Sequence, residues 1–342
     1  MSEEQNKWSP QSFIDDLYQD SLRKHDRTYD ESWRVILISR LQECLGDFSN
    51  LQGELQSKTL ESVECEGYVR RRVELSICDS LHIPIYVLVP NVKTTAKFPV
   101  VLAIHGHGYG SKEIVGLHPG GMENFDSPGI HKNFAIELVR KGMIVAAPEL
   151  IGFGDLKLEA DQTAGTPTDN SCFPLASQLL ILGKTLAGLR VFECSRVLDY
   201  IESLDETDNN RIGCMGLSGG GLVAAYTAAL DDRIKATVIS GYTNRFYGSI
   251  MSRRHCLDNY IPGILKYAEM PDLIGLIAPR KLLIEAGNHD HLFPIDEVKV
   301  AFNRLKEIYQ SFDAETDLAA DFFNGGHEIN GEKSYDWLID NL

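Results

Sequence analysis

The sequence predicts an α/β fold: a mostly parallel central sheet with helices on both faces. Short β-rich apolar runs recur along the chain, as "FPVVLAIHG", "MIVAAPEL", "RIGCMGL", "KATVIS", "KLLIEAG" and "AADFF". Stretches with helical spacing separate them, as "AIELVRKG", "GKTLAGLRVFECSRVLDYIESL", "GLVAAYTAALDD" and "DEVKVAFNRLKEIYQSF". That alternation implies βαβ units, whose parallel strands are buried on both faces. The chain also has the means for one large core, with 342 residues, 43% of them hydrophobic. No repeat, low-complexity tract or linker interrupts it, so residues 1–342 read as a single domain.

Residues 1–62 read as an N-terminal helical extension. Ser9 precedes Pro10 as a cap before a first-turn proline, and Thr28 with Glu31 has capping-box spacing ahead of "SWRVILISRLQECLG", which Gly46 can end. From residue 67, "GYVRRRVELSI" and "LHIPIYVLVP" alternate as an antiparallel pair at the sheet edge. Three long connections, 106–131, 150–175 and 241–277, each follow a strand, on the edge where open α/β sheets hold ligands. Segment 241–277 reads as a lid.

Charge and composition narrow the function classes. The net charge of -16 repels nucleic acid and anionic membrane surfaces, so neither is an expected partner. The opening "MSEEQNKWSP" is polar and acidic, and no stretch approaches the roughly 18 apolar residues of a membrane span, so the expected location is cytoplasmic. Seven scattered cysteines without a C-x-x-C pair argue against a disulfide scaffold or zinc knuckle.

The stretch "RIGCMGLSGGGL" carries the chemistry. A strand that runs into a serine ringed by glycines matches G-x-S-x-G at Gly216, Ser218 and Gly220, the small residues needed where strand and helix nearly touch. The alternative is a glycine-rich helix start that packs tightly or binds phosphate on its free N–H groups. A serine nucleophile requires a later acid and then a histidine. His327 follows the last strand in "AADFFNGGHEI", and Asp290 lies in the loop after "KLLIEAG". Asp290 competes with Glu285, inside the strand, Asp296, at the next helix start, and Glu328, too close to His327 to orient it; Asp290 is the best choice. For the oxyanion, "VVLAIHGHGYG" supplies a loop that resembles the H-G-G-G type, with the amides of His107 and Gly219 as donors. His105 and His107 could also pair on a metal, but the D-H that should follow such an H-x-H is absent, and "HDH" at 289–291 has no converging third cluster, so no metal is expected.

Candidate pocket residues are Tyr109, Tyr242, His255 and Tyr260, with Phe246 and Tyr247 also in the lid. Arg253 and Arg254 could meet a substrate carboxylate or stay solvated.

Together, "HGHG", "PELIGFGD", "GKTLAGLRVFECSRVLDYI", "NRIGCMGLSGGG", "YIPGILKYAEMPDLIGLIAPRKLLIEAG", "NHDHLFP" and "GGHE" resemble the α/β-hydrolases of the dienelactone hydrolase and acetyl xylan esterase-like branch, over about residues 65 to 342. The resemblance implies the α/β-hydrolase fold, a triad of Ser218, Asp290 and His327, no cofactor, and hydrolysis of carboxylic esters. Two departures stand out. His107 replaces the glycine of lipases and many esterases, and a serine replaces the usual dienelactone hydrolase cysteine, so dienelactone is not the expected substrate.

The expected function is serine ester hydrolysis on short-acyl esters, acetylated sugars included, with a small-molecule ester as partner and self-association into a homo-oligomer left open. Rival readings are a serine peptidase or amidase of the same fold, or a binding protein that keeps the fold without turnover.

Overall fold

The structure, a computed structural model, describes residues 8–25, 27–51, 53–163 and 165–342. Its strands are β1 (Ser57–Cys65), β2 (Tyr68–Cys78), β3 (Leu81–Pro90), β4 (Phe98–Ile104), β5 (Ile144–Pro148), β6 (Thr207–Leu217), β7 (Ile234–Ser240), β8 (Lys281–Gly287) and β9 (Leu318–Phe323). They form one sheet in the order β1-β2-β3-β5-β4-β6-β7-β8-β9. β1, β2, β3 and β5 pair antiparallel, and from β5 through β4 to β9 every pairing is parallel. The chain reverses its direction of travel across the sheet at β4, which lies between β5 and β6. The strand ends around that point are where an α/β sheet opens a crevice.

Alternate side chains of each central strand feed two cores. Val100, Leu102 and Ile104 of β4 join one face, and Val101 and Ala103 the other. The first face is covered by α1 (Glu31–Leu45), α2 (Leu186–Glu202), α3 (Gly219–Leu230) and α4 (Ile295–Ser311), the second chiefly by Phe134–Arg140 and Ser334–Asn341. In α1, Trp33, Leu37, Leu41 and Leu45 recur every four residues and are all buried, each worth about 1.5–3 kcal/mol against exposure. The N-terminal helices are therefore stitched onto the sheet domain. The helix Pro10–Leu22 docks on the base of segment 241–277, where Tyr18 Oη donates to Glu269 Oε1 at 2.7 Å and the Tyr18 ring stacks on Tyr247 at 4.8 Å.

Two sequence expectations are corrected. The extension read as helical over 1–62 ends in strand β1, which takes the sheet edge assigned to β2. The cap of α1 is Asp30, which accepts from the Trp33 amide at 2.8 Å, rather than Thr28. Among the described residues no single helix is long and apolar enough to cross a membrane.

Candidate active site

Ser218 sits between the last residue of β6 and the first of α3, with φ 57° and ψ -119°. A non-glycine residue held there stores about 1–3 kcal/mol, which the surrounding structure must offset. Its amide is anchored by donation to Ser240 O at 2.9 Å. A Cβ on Gly216 would collide with the Gly220 carbonyl, and one on Gly220 with the Ile104 carbonyl, so strand, turn and helix pack too closely for any side chain. The sharp turn lifts Ser218 out at the sheet edge, half-buried, while its neighbours are buried.

Asp290 and His327 come to the same edge from the loops after β8 and β9. Asp290 Oδ2 lies 2.7 Å from His327 Nδ1, and Asp290 Oδ1 accepts from the amides of Leu292 at 2.7 Å and Phe293 at 3.0 Å. The carboxylate is thus fixed by its own loop before it meets the imidazole. The ring lies flat on Phe293, with centroids 5.8 Å apart, and against Gly241, just past the end of β7. The other acids have separate duties. Glu285 is buried and accepts from Ser240 Oγ at 2.8 Å and from the amides of Asn330 and Gly331, tying β7 and β8 to the chain just beyond His327. Asp296 is exposed, and Glu328 pairs with Lys132 at 2.7 Å.

The loop after β4 is held by groups that sequence reasoning missed. The Gly106 amide donates to His131 Nε2 at 2.9 Å, and His131 Nδ1 lies 3.0 Å from Glu113 Oε1. Glu113 Oε2 also accepts from the Tyr109 amide at 3.2 Å. Burial depresses the His131 pKa against the pull of Glu113, so the ring is neutral and can accept from Gly106. His105 is fully buried and accepts from the Leu150 amide at 3.1 Å, which removes it from any metal pair with His107. The His107 ring instead flanks Gly219, its Nδ1 3.3 Å from the position a Gly219 Cβ would take.

Ser218, His327 and His107 line one cavity of about 260 Å³. Ile130, Leu292 and Phe293 supply apolar wall, and Arg254, His255, Cys256 and Asn259 bring the expected lid to its rim. Of the tyrosines proposed for this pocket, none lines it. Tyr109 faces another cavity with Lys112 and Asp155; Tyr242 is fully buried, its hydroxyl 3.2 Å from that of Tyr226; and Tyr260 points outward, its hydroxyl donating to Ile250 O at 3.3 Å. His255 does line it, with Nε2 3.0 Å from Ser249 Oγ. The two arginines separate. Arg253 donates to His291 O and Gly248 O, whereas Arg254 reaches the cavity with no ion pair among the described residues.

Behind His107 lies a polar cluster with no local sequence signature. Arg190, fully buried, donates to Asp258 Oδ2 at 2.6 Å and to Cys172 Sγ at 3.1 Å. A hydrogen bond from Cys256 and the nearby Arg190 charge pull the Cys172 thiol well below the usual thiol range against burial, and Cys256, as donor, is correspondingly raised. Burial would lower the His107 pKa, but Asp258 and Cys172 outweigh it and raise it.

Against known proteins, the sequence profile of the Abhydrolase family matches residues 24–314. The chain belongs to the Abhydrolase family. A Bacillus subtilis (strain 168) protein provisionally named hydrolase YtaP is 30% identical over 277 residues, covering 79% of this chain and 86% of its own. Among solved structures, a Bacteroides fragilis NCTC 9343 protein provisionally named an acetyl xylan esterase is similar with a TM-score of 0.74 and 17% identity, over 90% of this chain and 81% of its own. A glucuronoyl esterase from Solibacter usitatus gives 0.63 and 15% over 90% of both chains, and an acetyl xylan esterase from Paenibacillus sp. R4 gives 0.61 and 17% over 95% and 99%. At such identities these likenesses establish the fold, and it is the α/β-hydrolase fold that the sequence implied.

Proposed function

We propose that this Abhydrolase family member is a serine carboxylic-ester hydrolase acting on short-acyl esters, acetylated sugars among them. The observation that carries the reading is the 2.7 Å contact of Asp290 with His327 at the mouth of a cavity that Ser218 and His327 both line.

In this mechanism Asp290 holds the proton on His327 Nδ1, leaving Nε2 as the base. Ser218 Oγ attacks the ester carbonyl carbon as its proton passes to His327 Nε2, and the carbonyl π pair moves onto oxygen. The amides of Gly219 and His107 donate to that oxygen. Gly219 opens α3, so its amide has no partner within the helix, and the His131–Gly106 bond sets the loop that presents the other. Collapse expels the alkoxide, which takes the proton from His327, and leaves an acyl-Ser218. Water, deprotonated by the same imidazole, releases the acid and restores Ser218. The structural neighbours that are acetyl xylan and glucuronoyl esterases agree with an ester substrate.

Cavity size sets the acyl length. A pocket of about 260 Å³ walled by Phe293 and Leu292 admits small acyl groups, each added methylene gaining about 0.8 kcal/mol until it meets the wall. The test is kcat/KM across p-nitrophenyl esters for the wild type and Ser218→Ala. The expected profile peaks from acetyl to butyryl and collapses by at least about three decades in Ser218→Ala. Undiminished turnover in that variant overturns the mechanism, and an optimum at decanoyl or longer overturns the substrate range.

A further inference from the structure

Three chain segments remote from one another meet behind the cavity, and each brings metal-ligating atoms. His107 follows β4, Cys172 opens the helix Cys172–Ile181, and Cys256 and Asp258 flank Leu257 in the turn at the cavity rim. One ligand atom from each of these four residues lies within 4.8 Å of every other. His107 Nε2 is 3.6 Å from Asp258 Oδ2, and Cys172 Sγ is 4.0 Å from the same oxygen. Donor separations around a tetrahedral zinc ion run from about 3.3 to 3.8 Å, so each side chain needs to move by less than about an ångström to close on one. His107 Nε2 is buried and has no well-aligned hydrogen bond among the described residues, an unmet need that a ligand bond would satisfy.

We propose that His107, Cys172, Cys256 and Asp258 form a zinc site that clamps the wall of the cavity. Charge supports the choice of ion. Two thiolates and a carboxylate bring three negative charges, and a divalent cation together with Arg190 brings three positive, which leaves the buried cluster neutral with His107 uncharged. Two sulfurs, one imidazole nitrogen and one carboxylate oxygen favour zinc over magnesium or calcium, which take oxygen donors. The outer partners are in place: Arg190 donates to Cys172 Sγ and Asp258 Oδ2, and Asn259 Nδ2 donates to Asp258 Oδ1 at 2.7 Å. Four protein ligands leave no open position, so the ion would be structural. It would fix the loop of His107 and the rim turn of Cys256 and Asn259 to the same helix start. The site stands independently of the role given to Ser218.

The experiment is anaerobic titration of the reduced full-length protein with cobalt(II), followed by zinc. The proposal expects one equivalent of cobalt to raise a thiolate-to-metal charge-transfer band with the intense visible bands of a tetrahedral ion, both erased by one equivalent of zinc. Cys172→Ser and Cys256→Ser should each remove about half of the charge-transfer intensity and weaken zinc by more than about a hundredfold, the upper end of what losing a mere supporting residue costs. Cys65→Ser, on the outer strand β1, should change neither reading. Circular dichroism on each variant separates lost ligation from lost folding, and Asp258→Asn, which keeps the shape, gives a second reading of the site. No charge-transfer band in the folded wild type, or a band that survives both cysteine variants, overturns the proposal. So does a protein that binds no cobalt while peroxide joins Cys172 to Cys256 as a disulfide, which would make the pair redox-active instead.

Discussion

Replacing Asp290 by asparagine changes one atom and isolates what the carboxylate does for His327. The oxygen that accepts from the Leu292 and Phe293 amides at 2.7 and 3.0 Å can be an amide oxygen without loss, so the loop keeps its shape. The other position, 2.7 Å from His327 Nδ1, becomes an NH₂ that only donates. Nδ1 must then accept, the proton moves to Nε2, and the ring facing Ser218 has no lone pair to offer. Restoring the working tautomer sets two donors against each other at about 1–3 kcal/mol. Loss of the carboxylate beside the transient imidazolium adds about 2–3 kcal/mol at an effective dielectric discounted for the partly solvated ring. The sum, about 3–6 kcal/mol, is about two to four decades in kcat/KM. The assay is p-nitrophenyl acetate hydrolysis beside thermal unfolding, which should hardly move, with Asp296→Asn as an exposed control expected within a few-fold of wild type. Activity within tenfold of wild type in Asp290→Asn, or a deeper loss in Asp296→Asn, refutes the assignment of the acid.

Two further outcomes follow from buried and unpaired charge. Burial pushes the Glu193 carboxyl up from 4.5 to about 8, so between those values the folded chain holds a proton that the unfolded chain has lost, and stability falls as pH rises through the window by up to about 1.4 kcal/mol per unit. Urea unfolding at pH 5.5 and 8 should show Glu193→Gln losing much less stability over that interval than wild type, and equal losses would mean that the carboxyl is ionised in both states. Arg254, at the cavity rim without an ion pair among the described residues, should favour esters that carry a carboxylate; Arg254→Ala should lower kcat/KM for a succinyl ester by about fivefold, roughly 1 kcal/mol, and leave the butyryl ester unchanged, whereas equal effects on both would remove charge recognition from its role.

The parallel strands were legible because each is a compact apolar run bounded by turn residues, and their order places the following loops at one edge. That is why Ser218, Asp290 and His327, spread over a third of the chain, could be grouped from sequence. β1 escaped notice because "SKTLESVEC" is almost wholly exposed and carries no apolar alternation. The tyrosines misled because aromatic content does not say which way a loop turns its side chains: Tyr242 faces inward onto Phe293, and Tyr260 faces solvent. The cluster around Arg190 was invisible for a different reason. Cys172 and Asp258 are 86 residues apart and meet only because the helix start and the rim turn both pack against α2. The Glu113–His131–Gly106 chain was missed likewise, since Gly106 and His131 lie in irregular chain and Glu113 in a single helical turn, Ser111–Ile114, too short for periodicity to mark an inward side chain.

Labelling with a fluorophosphonate followed by peptide mass spectrometry asks whether Ser218 is a nucleophile activated within this cavity. The expected result is one adduct per chain, on Ser218, formed rapidly in the wild type, absent in Ser218→Ala and slowed by orders of magnitude in Asp290→Asn. A folded wild-type chain that takes no label, or a label that maps to another residue and persists in Ser218→Ala, would contradict it.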